Sequence, residues 1–242
     1  TSPSIQILDL TKKQYQKLGN QPIQTNNMLI VGNPIMPKTS LNIGGIPQKL
    51  PSLPYAEKEA KAIANLFKIQ PLIGKQATES TVVQRLPQAQ IIHFATHGLF
   101  DDIRGLDSSI ALTPENSNSS SSLLSKEEQK HDGLLTAEEI FGLEFKANLV
   151  VLSACDTGRG RITGDGVIGL SRSFISKGVP SVIVSLWSVD DGSTAFLMTE
   201  FYQNLQQKMD KATALRKAML DTKKKYSNPS QWAAFTLIGE SE

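Results

Sequence analysis

Short apolar runs ended by turn residues alternate with stretches of helical periodicity along most of the chain. Met28-Leu29-Ile30-Val31 before Gly32-Asn33-Pro34 reads as a buried strand. Tyr55 to Phe67 is helical, with Ala60, Ile63, Ala64 and Phe67 on one stripe. Pro71–Gly74 is a short strand, and Thr78 to Leu86 a helix with Thr78 as N-cap. Strands follow at Ile91–Thr96 and Ser109–Leu112, and Thr136-Ala137-Glu138-Glu139 is a capping box that opens a short helix. Leu149–Ala154 is a strand; Val167–Lys177 is a helix ended by Gly178 and Pro180. Ser181–Leu186 is a fully apolar strand, Ser193–Gln207 and Ala212–Lys225 are amphipathic helices, and Trp232–Ile238 is a last strand. Such alternation predicts an α/β fold: a mostly parallel sheet with helices on both faces.

Other stretches lack periodicity. Residues up to about Asn27 read as a linker or N-terminal extension with at most one edge strand, and residues 28–242 as one domain. Residues 114–131 are low in complexity, with Asn116–Ser122 followed by Lys126-Glu127-Glu128-Gln129-Lys130, and read as a mobile insert. Gly158–Gly166 is glycine-rich and basic and reads as a second mobile loop. Nicking is expected at Lys126, Lys130, Arg159 and Arg161 in these two stretches.

Bulk properties narrow the field. The 242 residues are 39% hydrophobic and 20% charged, enough for a sizeable core. A net charge of +2 requires no nucleic-acid partner, and Lys223-Lys224-Lys225 reads as a solvated helix face. No apolar run reaches membrane-spanning length, so no membrane partner is expected. Thr1-Ser2-Pro3-Ser4 has neither Met nor a signal-peptide pattern, and reads as the start of a fragment of a longer chain. A single cysteine forms no internal disulfide, which fits a reducing, cytoplasmic setting.

Two strand ends carry the chemistry. One reads His93-Phe94-Ala95-Thr96-His97-Gly98, the other Leu152-Ser153-Ala154-Cys155-Asp156-Thr157-Gly158. In an open parallel sheet, functional groups gather beyond the carboxyl ends of strands. Cys155 there is a candidate nucleophile, with His97 as general base and proton shuttle. The backbone N–H groups of Gly98 and Cys155 are candidates for an oxyanion hole. His93 lies on the same strand face as His97 but about 13 Å away, too far to share a metal, and reads as a satisfied buried histidine. His131 falls in the insert and is expected to do nothing. Thiolate and imidazole ligands at metal spacing are missing, a Walker loop is absent, and Gly164-Asp165-Gly166 is a weak dinucleotide match, so neither metal nor cofactor is expected.

Ser185-Leu186-Trp187-Ser188-Val189-Asp190-Asp191 continues an apolar strand into a loop. Ser185, Leu186 and Trp187 could pair with an extended peptide by strand addition. One of the two carboxylates would cap the following helix and the other would face the side chain of P1, the residue on the amino side of the cut bond. Asp191 lies closer to the helix and suits capping, which leaves Asp190 for the pocket and Asp156 in reserve. Such a pocket takes Arg or Lys.

Four blocks in order resemble the CHAT domain: His93–Gly98, Leu134–Ile140, Val151–Gly158 and Ser185–Asp191; Trp232–Gly239 also fits. The resemblance implies the caspase–haemoglobinase fold, a three-layer sandwich, and a cysteine endopeptidase with His97 and Cys155 as its dyad. It also implies an association with tetratricopeptide repeats, common in bacteria, and a polypeptide substrate. Ser153 stands where metacaspases carry an Asp, and no basic pocket for aspartate is evident. The other reading is a catalytically silent scaffold that binds a protein partner.

Overall fold

A computed structural model describes residues 5–18, 27–40, 46–100, 105–115, 131–156, 164–187 and 189–241, apart from the side chains of 154–156 and 164–169. In chain order its elements are α1 (Ile5–Lys17), β1 (Met28–Pro34), β2 (Lys38–Thr39), β3 (Gln48–Lys49), α2 (Pro54–Phe67), β4 (Leu72–Gly74), α3 (Glu79–Arg85), β5 (Ile91–Leu99), β6 (Ser109–Ala111), β7 (Leu134–Thr136), α4 (Ala137–Phe141), β8 (Leu149–Asp156), α5 (Gly164–Ser176), β9 (Ser181–Ser185), α6 (Asp191–Gln206), α7 (Lys211–Lys225) and β10 (Phe235–Gly239). The main sheet has the order β10-β9-β8-β5-β1-β4. Its ladders are parallel from β4 to β9, and β10 pairs antiparallel with β9.

The strands alternate side chains between two cores. Phe94, Val150 and Leu152 pack with Val82 of α3, Ile140 of α4 and Phe174 of α5. Ile30, Val151 and Ile183 pack on the other face with Ile63 of α2, Phe201 and Tyr202 of α6, and Leu215 of α7. Burying each such large apolar side chain contributes about 1.5–3 kcal/mol. The result is the three-layer α/β sandwich that the alternation predicts.

Glycine sets how closely α2 lies on β1. A Cβ at Gly32 would overlap Ala60 Cβ and stand 2.9 Å from the Ala56 carbonyl oxygen. Only a residue without a side chain admits this approach.

Several local expectations hold. Thr78 caps α3 by accepting from Thr81 N–H, and Thr136 with Glu139 forms the capping box of α4. The helical stripe of Tyr55–Phe67 is α2.

Others need correction. The segment read as a linker with at most one edge strand carries a helix, α1, held near β10, with Gln14 Nε2 donating to the Ile175 carbonyl at 3.1 Å. The sheet does not stop at His97 either. β5 runs to Leu99 because β6 pairs antiparallel with it at Gly98 and Leu99. Helix α5 begins at Gly164, so the last residues of the glycine-rich stretch are helical. Lys126, Lys130, Arg159, Arg161 and residues 116–130 lie outside the described residues.

Candidate active site

Strands β5 and β8 run side by side in unbroken register from Ile91–Leu149 to Gly98–Asp156, and this register pairs His97 with Cys155. Alternation from Ile91 puts His97 on the side of the sheet covered by α2 and α6. The two strand ends are therefore adjacent in the backbone itself.

His97 is fully buried. Its Nε2–H donates to the carbonyl oxygen of Pro51 at 2.7 Å. A carbonyl only accepts, so this bond fixes the tautomer and leaves Nδ1 with its lone pair. Nδ1 is buried without a partner among the described residues. Burial pushes the His97 pKa below its ordinary value, and the Pro51 bond partly opposes that. The result is a neutral imidazole with an accepting nitrogen.

Pro51 is held in place by Asn33, at the end of β1. Asn33 Oδ1 accepts from Leu53 N–H at 2.8 Å and from Ser52 Oγ at 3.1 Å. Its Nδ2 donates to Glu57 Oε2 at 3.3 Å. Asn33 adopts φ 43°, a left-handed conformation that asparagine tolerates better than most residues. Neither Pro51 nor Asn33 follows from reading the sequence. The turn signal at Gly32-Asn33-Pro34 was the only visible hint.

His93 is a satisfied buried histidine, as its mid-strand position suggests. Its Nε2–H donates to Glu59 Oε1 at 2.8 Å, and Nδ1 lies 3.2 Å from the Tyr202 hydroxyl. The Tyr202 pKa is raised well above its ordinary value, first by burial and then by the Glu59 charge, so the phenol keeps its proton to donate. His131 Nδ1 lies 3.5 Å from Glu79 Oε1 and makes no hydrogen bond among the described residues.

The helix cap after the β9 loop is Asp190, where Asp191 was expected. Asp190 is the N-cap of α6, exposed, with Oδ1 accepting from Ser193 N–H at 2.9 Å. The cap falls one residue earlier than expected because α6 begins at Asp191. Asp191 is half-buried instead and lines a crevice with Leu53, Ala56, Glu59, Thr96, Ser153 and Thr194. Its pKa is raised by burial, then by the charges of Asp190 and Glu59.

The β8 ladder with β9 ends at Leu152–Val184, so past that pair the two strands diverge. Ser185 is buried and Leu186 exposed. The Leu186 N–H donates to the Ala234 carbonyl at 2.8 Å and is therefore not available to a peptide. Trp187 is half-buried, with Nε1–H donating to the Ser230 carbonyl at 3.0 Å. Gly98 sits in the ladders between Asp156 and Ile110. No group of three metal-ligating side chains occurs among the described residues.

The mainly parallel sheet with helices on both faces, its β5 and β8 pairing His97 with Cys155, is a three-layer α/β fold. Residues 2–240 match the CHAT domain, and the chain belongs to that family. It is 31% identical over 269 residues to tetratricopeptide repeat protein 28 of Homo sapiens, covering 98% of this chain and 10% of that protein. The mouse protein of that name is 32% identical over 244 residues, covering 89% of this chain and again 10% of its own length. The chain thus spans about a tenth of these relatives. Among solved structures, the Arg-specific cysteine proteinase gingipain R superposes with a TM-score of 0.60 at 11% identity, covering 97% of this chain and 51% of that one. A complex of pro- and mature domains from Porphyromonas gingivalis gives 0.55 at 12% identity, over 95% and 52%. At these identities the superpositions speak to the fold alone. No helix among the described residues is long and apolar enough to cross a membrane.

Proposed function

We propose that the chain is a cysteine endopeptidase in which Cys155 and His97 form the dyad and P1 is Arg or Lys. The observation that carries this reading is the accepting Nδ1 of His97 on the strand residue paired with Cys155. In the reaction the Cys155 thiol gives its proton to His97 Nδ1, and the thiolate attacks the scissile carbonyl carbon. The carbon–sulfur bond forms while the carbonyl π electrons move to oxygen, where the N–H groups of Gly98 and Cys155 are the candidate donors. Collapse breaks the carbon–nitrogen bond, and the imidazolium proton goes to the leaving amine. Water then attacks the thioester, passes a proton to His97 and expels Cys155, which takes that proton back. Pro51 holds the ring throughout and stabilises the imidazolium that forms.

For the P1 side chain, Asp191 replaces Asp190 as the favoured acidic residue, because Asp190 is occupied as a cap. Asp156 stays in reserve. Ser185, Leu186 and Trp187 remain candidates for contact with the substrate. Tetratricopeptide repeats, in the same chain or in a partner, are the proposed recruitment device, in line with the relatives.

The complete enclosure of His97 favours a second reading, a protein-binding scaffold that does not hydrolyse peptides. Substrate reaches His97 only after its surroundings part. Labelling with a thiol-reactive peptide carrying P1 Arg or Lys tests the two. Labelling of wild type, but not of Cys155→Ala, supports the peptidase. No labelling of either favours the scaffold.

A further inference from the structure

The crevice beside Asp191 has a second acidic wall. Glu59 is 2% exposed and lines it from α2. Its Oε1 is fixed by His93, which is itself backed by Tyr202. Two hydroxyls complete the lining: Ser153 on β8, 7% exposed, and Thr194 on α6, 4% exposed. Both hydroxyl oxygens are buried without a hydrogen-bond partner among the described residues. Orphaned buried hydroxyls are costly, and each has a free acceptor lone pair. No Lys or Arg among the described residues lines the crevice. Two carboxylates and two unpaired hydroxyls thus face a space to which no described lining residue brings a positive charge.

The crevice also has a size and a depth. It admits one water-sized group. Ser153 precedes Cys155 by two strand residues, so its Cα lies about 7 Å from that of Cys155 along β8. That is the reach of an extended four-carbon stem ending in a compact ammonium. A guanidinium is wider, planar and forked.

Resting on the endopeptidase reading, we infer that Glu59 is a specificity-determining residue: with Asp191, Ser153 and Thr194 it receives the ammonium of a P1 lysine, in preference to arginine. The three N–H donors of the ammonium meet Glu59, Asp191 and one hydroxyl. His93 and Tyr202 are positioning residues that act through Glu59.

The test has two arms. The first measures kcat/KM for matched peptides with P1 Lys, Arg and norleucine, the last keeping the stem without the charge. Wild type should favour Lys over Arg by about tenfold or more, the order expected for one charge-assisted bond. Glu59→Gln retains an acceptor for His93 and should lower Lys cleavage by about a hundredfold, leaving norleucine little changed. An Arg preference, or equal losses for Lys and norleucine, overturns the proposal, since the latter means that Glu59 only supports the fold. The second arm needs no catalysis. The melting temperature of Cys155→Ala should rise with n-butylammonium chloride and not with tetramethylammonium chloride at equal ionic strength. The rise should vanish in the added Asp191→Asn background. No rise overturns the cation site whether or not peptides are cut; a rise without any cleavage sustains the site and rejects only the peptidase reading.

Discussion

The carbonyl oxygen of Pro51 stands 2.7 Å from Nε2 of His97. This contact joins two residues far apart in the chain and decides which nitrogen can take a proton. Burial lowers the His97 pKa, so the free base persists below the usual value of about 6.5. If the peptidase reading holds, the acidic limb of kcat/KM should fall below about pH 6.5. The stability sign follows from the same shift. Above about 6.5 both states are neutral; as pH falls below it, the unfolded chain takes up the proton first, so folding weakens. Urea midpoints of wild type and His97→Asn, compared across that window, should show less acid loss in the variant.

Asn33 holds the loop that presents Pro51. Asn33→Ala should lower kcat by roughly ten- to a hundredfold through misplacement of His97, with a smaller change in KM. Losing this half-buried acceptor should also cost about 0.5–1.5 kcal/mol in urea unfolding. A matched fall in kcat/KM that comes only from KM would contradict the positioning role.

Cys155→Ala should abolish peptide cleavage. His97→Ala should lower it by orders of magnitude, and the double variant should be no worse than Cys155→Ala, since base and nucleophile act as a unit. Steady-state assays on the three proteins check this. Residual Cys155→Ala activity would point to another nucleophile or a contaminant.

Tyr202→Phe removes the hydroxyl 3.2 Å from His93 Nδ1 and leaves that nitrogen buried and unpaired. It should cost about 1–3 kcal/mol. The denaturant midpoint should drop with little change in slope. An unchanged midpoint would show that the bond contributes nothing net.

Glu79 supplies a pH effect of opposite sign. Its pKa is raised to about 7, first by burial, against the bond from Gly133 N–H. The folded state therefore holds its proton more tightly than the unfolded chain. The stability this gives is present in full below about pH 4.5 and is lost as pH rises towards 7. Glu79→Gln keeps an acceptor for Gly133 and does not ionise, so its stability should vary less over that window. Thermal melts from pH 4.5 to 7.5 measure the difference.

Much of the architecture was legible because it rests on local patterns. The apolar runs at Met28, Ile91, Leu149 and Ser181 became strands, and Thr78 and Thr136 became caps, since capping bonds span only three residues. Helix α1 was missed because its apolar residues form no buried stripe; Ile5, Leu8 and Leu10 are exposed and only Thr11 is buried. The capping assignment at Asp190–Asp191 failed for a subtler reason. A one-residue shift in helix start exchanges cap and first-turn positions, and helix starts are not specified that finely by sequence.

The chain order of residues was enough to place His97 and Cys155 near the carboxyl ends of strands, because periodicity and turn residues act over a few positions. It could not pair them. That pairing depends on β5 and β8 lying adjacent in a common register, which the packing of helices on both faces decides. Nor could it reveal Pro51 on His97, 46 residues apart, or Glu59 and Tyr202 on His93, 34 and 109 residues apart. Contacts at such separations form only when the sheet and its covering helices close together. The tautomer of His97, the second acid of the crevice and the lock on Glu59 therefore belong to the tertiary structure alone.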